Sequence, residues 1–268
     1  MSDPMPLPSA AWPRLQLMEW NDQPWLPEPL RRALTDYLSI IIDVADPFAP
    51  LAPRLAALCA DAHADRIVDL CAGGAGPWGK LRPAVTSALG RPLRVTLTDL
   101  YPNRAAFARA AAATDGAVAG WDAPVDARAV PPELTGVRTV FDALHHFRPA
   151  DARALLADAQ ARRQPIVVVE GTRRRLSSLL GMLLVPLFVL LLTPRIRPFA
   201  WTRLLLTYVV PLVPLLVLWD GVVSCLRSYR LAELRALTAG LDAGYRWEAG
   251  EYKVRGAVVT FLVGQPTL

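Results

Sequence analysis

Six residues in this sequence bring three glycines together: Cys71, Ala72, Gly73, Gly74, Ala75 and Gly76. An acid, Asp69, stands just before them, and a second, Asp99, closes the next apolar run. Glycines in such a turn accept positive φ and let the backbone approach a ligand closely. A helix that starts directly after the turn presents unpaired N–H groups to a carboxylate. An acid ending the second strand can accept two hydrogen bonds from ribose hydroxyls, and the four features together form half of a nucleotide-binding sheet. The glycines alone fit the turn of any α/β protein equally well, and Asp99 is what tilts the reading toward a nucleotide.

A different chemistry attaches to His145 and His146 in Phe-Asp-Ala-Leu-His-His-Phe, residues 141–147. Either imidazole can take a proton at neutral pH. On a helix, adjacent side chains point about 100° apart, so the two are expected to serve different faces. A packing role behind a strand stays equally open. No third ligand is evident at a usable spacing, so no metal is expected. Two further clusters hold polar groups among aromatics. One is Glu19, Asn21, Asp22 and Trp25, and the other is Trp219, Asp220, Ser224, Arg227 and Tyr229. Trp25, Trp219, Asp220, Arg227 and Tyr229 are candidates for an acceptor pocket, with structural roles open for each and an Asp220–Arg227 ion pair as the plain alternative.

The elements that must position these groups alternate strand and helix. Strands are expected at 66–70, 93–98, 117–121, 137–141 and 165–170, with helices at 77–89, 103–113 and 149–161 between them. Short buried strands joined by amphipathic helices require parallel crossovers and helices on both faces, a doubly wound α/β sheet. A helix near 230–243 leads to two late strand-like runs, 245–248 and 257–264, set to pair as a hairpin. Upstream, residues 1–13 hold four prolines and read as an extended arm. Leu30, Leu34, Leu38, Ile41 and Ile42 recur at helical spacing in a helical N-terminal cap reaching about Leu58.

Bulk properties narrow the function. At 268 residues the chain accommodates one large domain, and its mean hydropathy of +0.28 points to a local apolar excess. Net charge is +5, carried almost wholly by arginine, with Lys80 and Lys253 as the lysines. No basic run interleaves with aromatics, so nucleic acid is not an expected partner. Cys59, Cys71 and Cys225 lack disulfide or zinc spacing, which fits a reducing compartment. The N-terminus lacks the pattern of a secretory signal, and a cytoplasmic location is expected.

The stretch Val-Asp-Leu-Cys-Ala-Gly-Gly-Ala-Gly, 68–76, resembles the first motif of class I S-adenosylmethionine-dependent methyltransferases, with Asp69 in its acidic position and Gly73 in its central glycine position. Cys71 and Ala75 depart from it, standing where glycines are common. Thr-Asp-Leu, 98–100, matches the second motif, and Val-Asp-Ala-Arg-Ala-Val-Pro, 125–131, is similar to the loop whose acid meets the adenine amino group. The resemblance covers roughly residues 65–175 and the terminal strand pair. It implies a mostly parallel seven-stranded sheet with an antiparallel last strand. It also implies that S-adenosylmethionine is held by Asp69, Cys71, Gly73, Gly74, Gly76, Asp99, Leu100, Asp126 and Ala127. Asp122 is the competing register for Asp126, and Trp121 can flank the adenine. The resemblance places 141–147 opposite the transferable methyl group, making His145 and His146 the catalytic candidates. Gly74, Gly76 and Gly79 also satisfy the GxGxxG spacing of nicotinamide dehydrogenases. Asp69 before the turn and the late strand pair favour the methyltransferase.

One segment breaks the alternation. Leu176–Thr193 carries no charge over 18 residues, and Phe199–Leu218 is nearly as apolar, interrupted by Arg203, Pro211 and Pro214. Either run is long enough to span a bilayer. The link arginines, Arg195 and Arg197, would then lie on the far side, against the positive-inside tendency. A shallow monotopic hairpin on the inner face, with Arg173–Arg175 and the link arginines at headgroup level, accommodates them better. A lid over the site or a homodimer interface is the soluble reading. The expected organisation is a cap at 1–58, a Rossmann-like domain at 59–175 and 220–268, and an apolar insert at 176–219. The expected activity is methyl transfer to a small lipophilic or amphipathic acceptor. A non-catalytic membrane-associated scaffold of the same fold and an integral membrane enzyme acting on lipid headgroups are the alternatives.

Overall fold

The computed structural model describes residues 12–267, so the arm read over 1–13 lies outside them save for Trp12 and Pro13. The chain enters as an irregular strap to Trp25, then forms α1 (Glu28–Ala45) and α2 (Ala52–Asp61). The alternating core follows: β1 (Arg66–Leu70), α3 (Trp78–Leu89), β2 (Arg94–Leu97), α4 (Arg104–Ala112), β3 (Val118–Gly120), β4 (Val137–Phe141), α5 (Pro149–Ala161) and β5 (Ile166–Glu170). The apolar insert comprises α6 (Leu176–Met182), α7 (Val185–Leu192), the single turn α8 (Trp201–Leu204), a π-helical turn at Leu205–Val209 and the start of α9 (Leu212–Arg227). After α10 (Leu231–Thr238), β6 (Tyr245–Val254) and β7 (Ala257–Pro266) complete the sheet.

Seven strands lie in the order β3-β2-β1-β4-β5-β7-β6. β1 to β5 run parallel to one another, and β7 runs antiparallel between β5 and β6. An all-parallel dinucleotide-binding sheet ends instead in a sixth parallel strand. Strand alternation divides the core cleanly. Ile67, Val137, Val167 and Val169 face α2 and α3, whereas Val68, Val140, Ile166 and Val168 face α5 and α10. Each such side chain is fully buried, worth about 1.5–3 kcal/mol.

The cap divides between two partners. α2 joins the sheet core through Leu55 and Cys59, while α1 turns Ala33, Leu34 and Tyr37 toward Val189, Val213 and Val217 of the insert. Leu38, expected to face inward, lies outside that stripe and is exposed. α10 ends at Thr238, short of the expected 243, because the chain turns at Gly240 with φ +73°. β6 extends to Val254 rather than 248. As an edge strand it alternates Trp247 and Ala249 on one face with Tyr252 and Val254 on the other, and polar residues between them disguise the pattern.

Candidate functional site

The glycine turn leaves β1 with a sequence of left-handed residues: Cys71 at φ +58°, Gly73 at +48°, Ala75 at +88° and Gly76 at +61°. Beneath it, Asp69 is buried, accepting from Thr139 Oγ1 at 2.6 Å and from Trp78 Nε1 at 2.8 Å. Burial pushes its carboxyl up to about 7, against the pull of those two donors. A Cβ on Gly76 would sit 2.8 Å from Asp69 Oδ2, so this glycine is required by close approach. A Cβ on Gly74 would meet Thr35 of α1 at 2.7 Å, which places the cap over the turn. Gly79 has open space where its Cβ would be, so the third glycine of the dehydrogenase pattern does not serve helix–strand packing here.

Asp99 bridges the turn to the loop after β2. Its Oδ2 accepts the Gly73 N–H and its Oδ1 the Tyr101 N–H, each at 2.9 Å. The Val125 N–H binds the Asp99 carbonyl at 2.9 Å and draws the 125–131 loop alongside. Asp126 comes with it, held by the Arg128 side chain and backbone N–H, whereas Asp122 is exposed. Burial, together with the negative charges of Asp99, Asp69 and Asp126, drives the Cys71 thiol well above its ordinary pKa. The three expected acids thus converge on one residue of the glycine turn. Leu100 beside them is exposed, Ala127 is buried, and Trp121 packs partly into the core.

A second cluster forms where β4 and β5 end. Leu144–His146 is one turn of 3₁₀ helix, and the two imidazoles lie nearly stacked, 4.2 Å apart at 32°. The divergence expected of a helical pair does not occur. His145 is 3% exposed, with Nδ1 at 2.6 Å from Glu170 Oε2. Burial lowers its basicity, but Glu170, Glu19 and Asp142 outweigh that and lift its pKa to about 9. His146 is 32% exposed, with Nδ1 at 3.0 Å from Asp22 Oδ1. Its Nε2 has no protein partner among the described residues.

The strap supplies the remaining groups. Arg14 donates to the carbonyls of His145 and Phe147, and Gln16 to that of His146, fastening the strap to the histidine turn. Arg227 Nη1 lies 2.8 Å from both Glu19 Oε1 and Asp22 Oδ2. The Asp220–Arg227 pair, the plain alternative for these two residues, does not form, and Asp220 accepts instead the N–H groups of Trp20 and Asn21, at 2.7 and 3.0 Å. Ser224 donates to Glu19. Trp219 donates its indole N–H to the Met18 carbonyl, and both remain exposed, as does Trp25. Tyr229 lies under Arg14 with its hydroxyl on the Phe147 carbonyl, and lines neighbouring cavities rather than the histidine cluster.

Contrary to the expectation from spacing, a third metal-ligand type does join the histidines. The ligand atoms of Glu19, His145 and His146 lie within 4.8 Å of one another. The centre already holds a cation, because Arg227 Nη1 touches both carboxylates and stands 3.4 Å from His146 Nδ1. Glu170, which contacts His145, is the member of this cluster that the sequence did not nominate. Its one signal is an acid closing the apolar run Ile-Val-Val-Val, 166–169.

No protein-family model and no curated protein matches this chain. Solved structures do. The O-methyltransferase of neocarzinostatin biosynthesis, complexed with S-adenosylmethionine and 2-hydroxy-5-methyl naphthoic acid, superposes with a TM-score of 0.52 at 18% identity, covering 88% of this chain and 58% of that one. Its complex with S-adenosyl-L-homocysteine and 1,4-dihydroxy-2-naphthoic acid gives 0.53 at 18%, over 90% and 59%. A Nostoc punctiforme protein assigned to the O-methyltransferases gives 0.50 at 13%, over 92% and 63%. The chain spans less than two thirds of the length of each of these structures.

Proposed function

We infer that the chain is a methyltransferase, a reading supported by its class I S-adenosylmethionine-dependent methyltransferase fold, with the seven-stranded sheet and antiparallel β7. We propose that it transfers the methyl group of S-adenosylmethionine to a hydroxyl of a small lipophilic or amphipathic acceptor, with His146 as the base. The observation that carries this reading is the pairing of two features on one sheet edge. Asp99 is tied to the glycine turn after β1, and a half-exposed histidine after β4 has Nδ1 held by Asp22 and Nε2 unpaired.

The residues present fit the cofactor. Gly73 has open space beside its Cα, Cys71 and Ala75 are small enough to hold the left-handed turn, and Asp99 offers remaining lone pairs to ribose hydroxyls. Asp69 acts from below, fixing the turn through Trp78 rather than reaching a ligand. When bound, S-adenosylmethionine supplies an electrophilic methyl carbon on a sulfonium. A hydroxyl acceptor must lose its proton as its oxygen bonds to that carbon, and in this reading the unpaired His146 Nε2 takes it. His145 is a positioning residue, because both its burial and its bond to Glu170 keep it from an incoming acceptor. Met18, Trp25 and Trp219, exposed around Glu19 and Asp220, suit an acceptor with an apolar body. The naphthoic acids bound by the neocarzinostatin enzyme are of that kind.

The test is transfer of labelled methyl from S-adenosylmethionine into a cell extract, with identification of the labelled product. Asp99→Ala is expected to weaken calorimetric cofactor binding by about 100-fold, as loss of two charge-assisted hydrogen bonds implies. Unchanged affinity in a folded variant would overturn the cofactor assignment.

A further inference from the structure

Three arginines, Arg173–Arg175, follow Gly171 and Thr172 after β5, and with Arg230 they line a cavity of about 330 Å³. Arg173 pairs with Glu251 and Arg174 with Glu233, each at 2.6 Å, so four guanidinium groups face two carboxylates. Arg174 is 3% exposed, yet its Nε and Nη1 find no hydrogen-bond partner among the described residues. Buried donors left unpaired are costly, and a bound acceptor would relieve them. Burial first, and then Arg174 and Arg175, hold the Arg230 guanidinium below its ordinary pKa against the pull of Glu233. Converging guanidinium groups of this kind suit the oxygens of a phosphate.

The apolar surface begins one residue beyond this cavity. Leu176–Arg195 reaches a mean hydropathy of 2.4 over an 18-residue window, of which 11% is buried. Leu176, Leu180, Leu183 and Leu187 are each more than half exposed, and Trp201 on the return leg is 77% exposed. An exposed apolar surface of this extent is not normal for a soluble monomer and marks an interaction site. Exposed Arg195 and Arg197 close the stretch as Arg173–Arg175 open it, which sets both ends at a polar boundary with the leucines between.

A spanning hairpin does not fit these contacts. At its tip Arg203 is 4% exposed, pairs with Asp36 of α1 and donates to the carbonyls of Ile196 and Pro198. α1 also carries Glu28, Arg31, Arg32 and Asp43. Sending the hairpin across a bilayer would draw that charged helix into hydrocarbon. We propose that residues 176–219 form a monotopic docking face for a bilayer, and that the cavity of Arg173, Arg174, Arg175 and Arg230 at its root receives the phosphate of an anionic phospholipid.

Co-sedimentation of the full chain with vesicles tests this without any methyl-transfer readout, so it stands or falls apart from the proposed reaction. Vesicles of phosphatidylcholine, alone or mixed with phosphatidylglycerol, are the probes. The protein is expected to bind both, with a gain of about tenfold from phosphatidylglycerol. Arg175→Gln with Arg230→Gln should remove that gain while leaving binding to phosphatidylcholine. Leu183→Glu with Leu187→Glu should abolish binding to both, with an unchanged circular dichroism spectrum. Absence of vesicle binding by the unaltered protein, or a gain that survives the arginine substitutions, would overturn the proposal. Calorimetric binding of inorganic phosphate without any phosphatidylglycerol gain would reassign the cavity to a soluble phosphate. A dimer that Leu183→Glu dissociates, with no vesicle binding, would reassign the face to a second copy of the chain.

Discussion

His145 Nδ1 lies 2.6 Å from Glu170 Oε2, and both side chains are 3% exposed. The pair joins the turn after β4 to the end of β5, and Glu170 Oε1 also accepts the His145 backbone N–H. Burial alone would discharge this imidazole, so its raised pKa depends on the carboxylates around it, with Glu170 foremost.

Stability should therefore fall with pH across a defined window. The folded pKa of about 9 lies above the value near 6.5 of an unfolded histidine. The stabilisation is fully present below about 6.5 and is lost as pH rises through about 9. A shift of this size corresponds to about 3 kcal/mol. Asp69, raised to about 7, and Asp142 and Asp220, raised to about 6, lose stability over a lower range, above the ordinary carboxylate pKa. Urea midpoints between about pH 7.5 and 9.5 span the His145 window. The Cys59, Cys71 and Cys225 thiols, raised by burial, add a decline of the same sign above about 8.5, so the His145 share is read from the difference between the unaltered protein and a Glu170 variant. Glu170→Gln should flatten the decline, and an unaltered slope would remove the ion pair as its cause.

The two histidines should separate kinetically. His146→Ala is expected to lower kcat by about 10²–10⁴ with little change in KM, the range for loss of a positioned base. His145→Gln should act through the turn that carries its neighbour, lowering stability and shifting the pH profile more than it lowers kcat at the optimum. Equal kcat losses with unchanged stability in both variants would place the base elsewhere.

Local pattern made much of this legible, and distance in sequence hid the rest. Asp69, Gly73 and Gly76 lie within one strand–turn–helix unit, where each neighbour constrains the next. Asp99 follows from the parallel crossover, which must return the chain beside β1. Glu170 was concealed because an acid after Ile-Val-Val-Val reads simply as the end of a buried strand. The partners of Arg227 were hidden because Asp220 is the nearest acid in sequence, while Glu19 and Asp22 come from a strap about 200 residues upstream. The near-stacked histidines arise from a 3₁₀ turn that periodicity cannot distinguish from an α-helix in three residues.

Metal removal tests what Arg227 does. Its Nη1 lies against Glu19, one of the three candidate metal ligands, and against Asp22, so the cluster carries its own positive charge. Methyl transfer is expected to survive dialysis against EDTA without change. Activity lost on dialysis and restored by a divalent ion would show that Arg227 yields its place to a metal, with Glu19, His145 and His146 as ligands.

Backbone strain in the glycine turn supplies the last test. Ala75 holds φ +88° and Cys71 φ +58° where the resembling motif commonly has glycine. A side chain in the left-handed region costs roughly 1–2 kcal/mol. Glycine recovers that at the expense of greater unfolded-state entropy and, for Ala75, a partly buried methyl. Ala75→Gly should therefore raise stability by about 0.5–1 kcal/mol, a gain visible in the urea midpoint. The reverse change at the glycine that packs against the buried acid should do the opposite. Gly76→Ala adds a Cβ 2.8 Å from Asp69 Oδ2 at φ +61°, and since the acid is locked by Thr139 and Trp78 it cannot retreat. A loss of about 2–3 kcal/mol is expected there, as for overpacking beside a strained backbone. A stabilising Gly76→Ala, or a destabilising Ala75→Gly, would show that the turn relaxes to a different conformation from the one that ties Gly73 to Asp99.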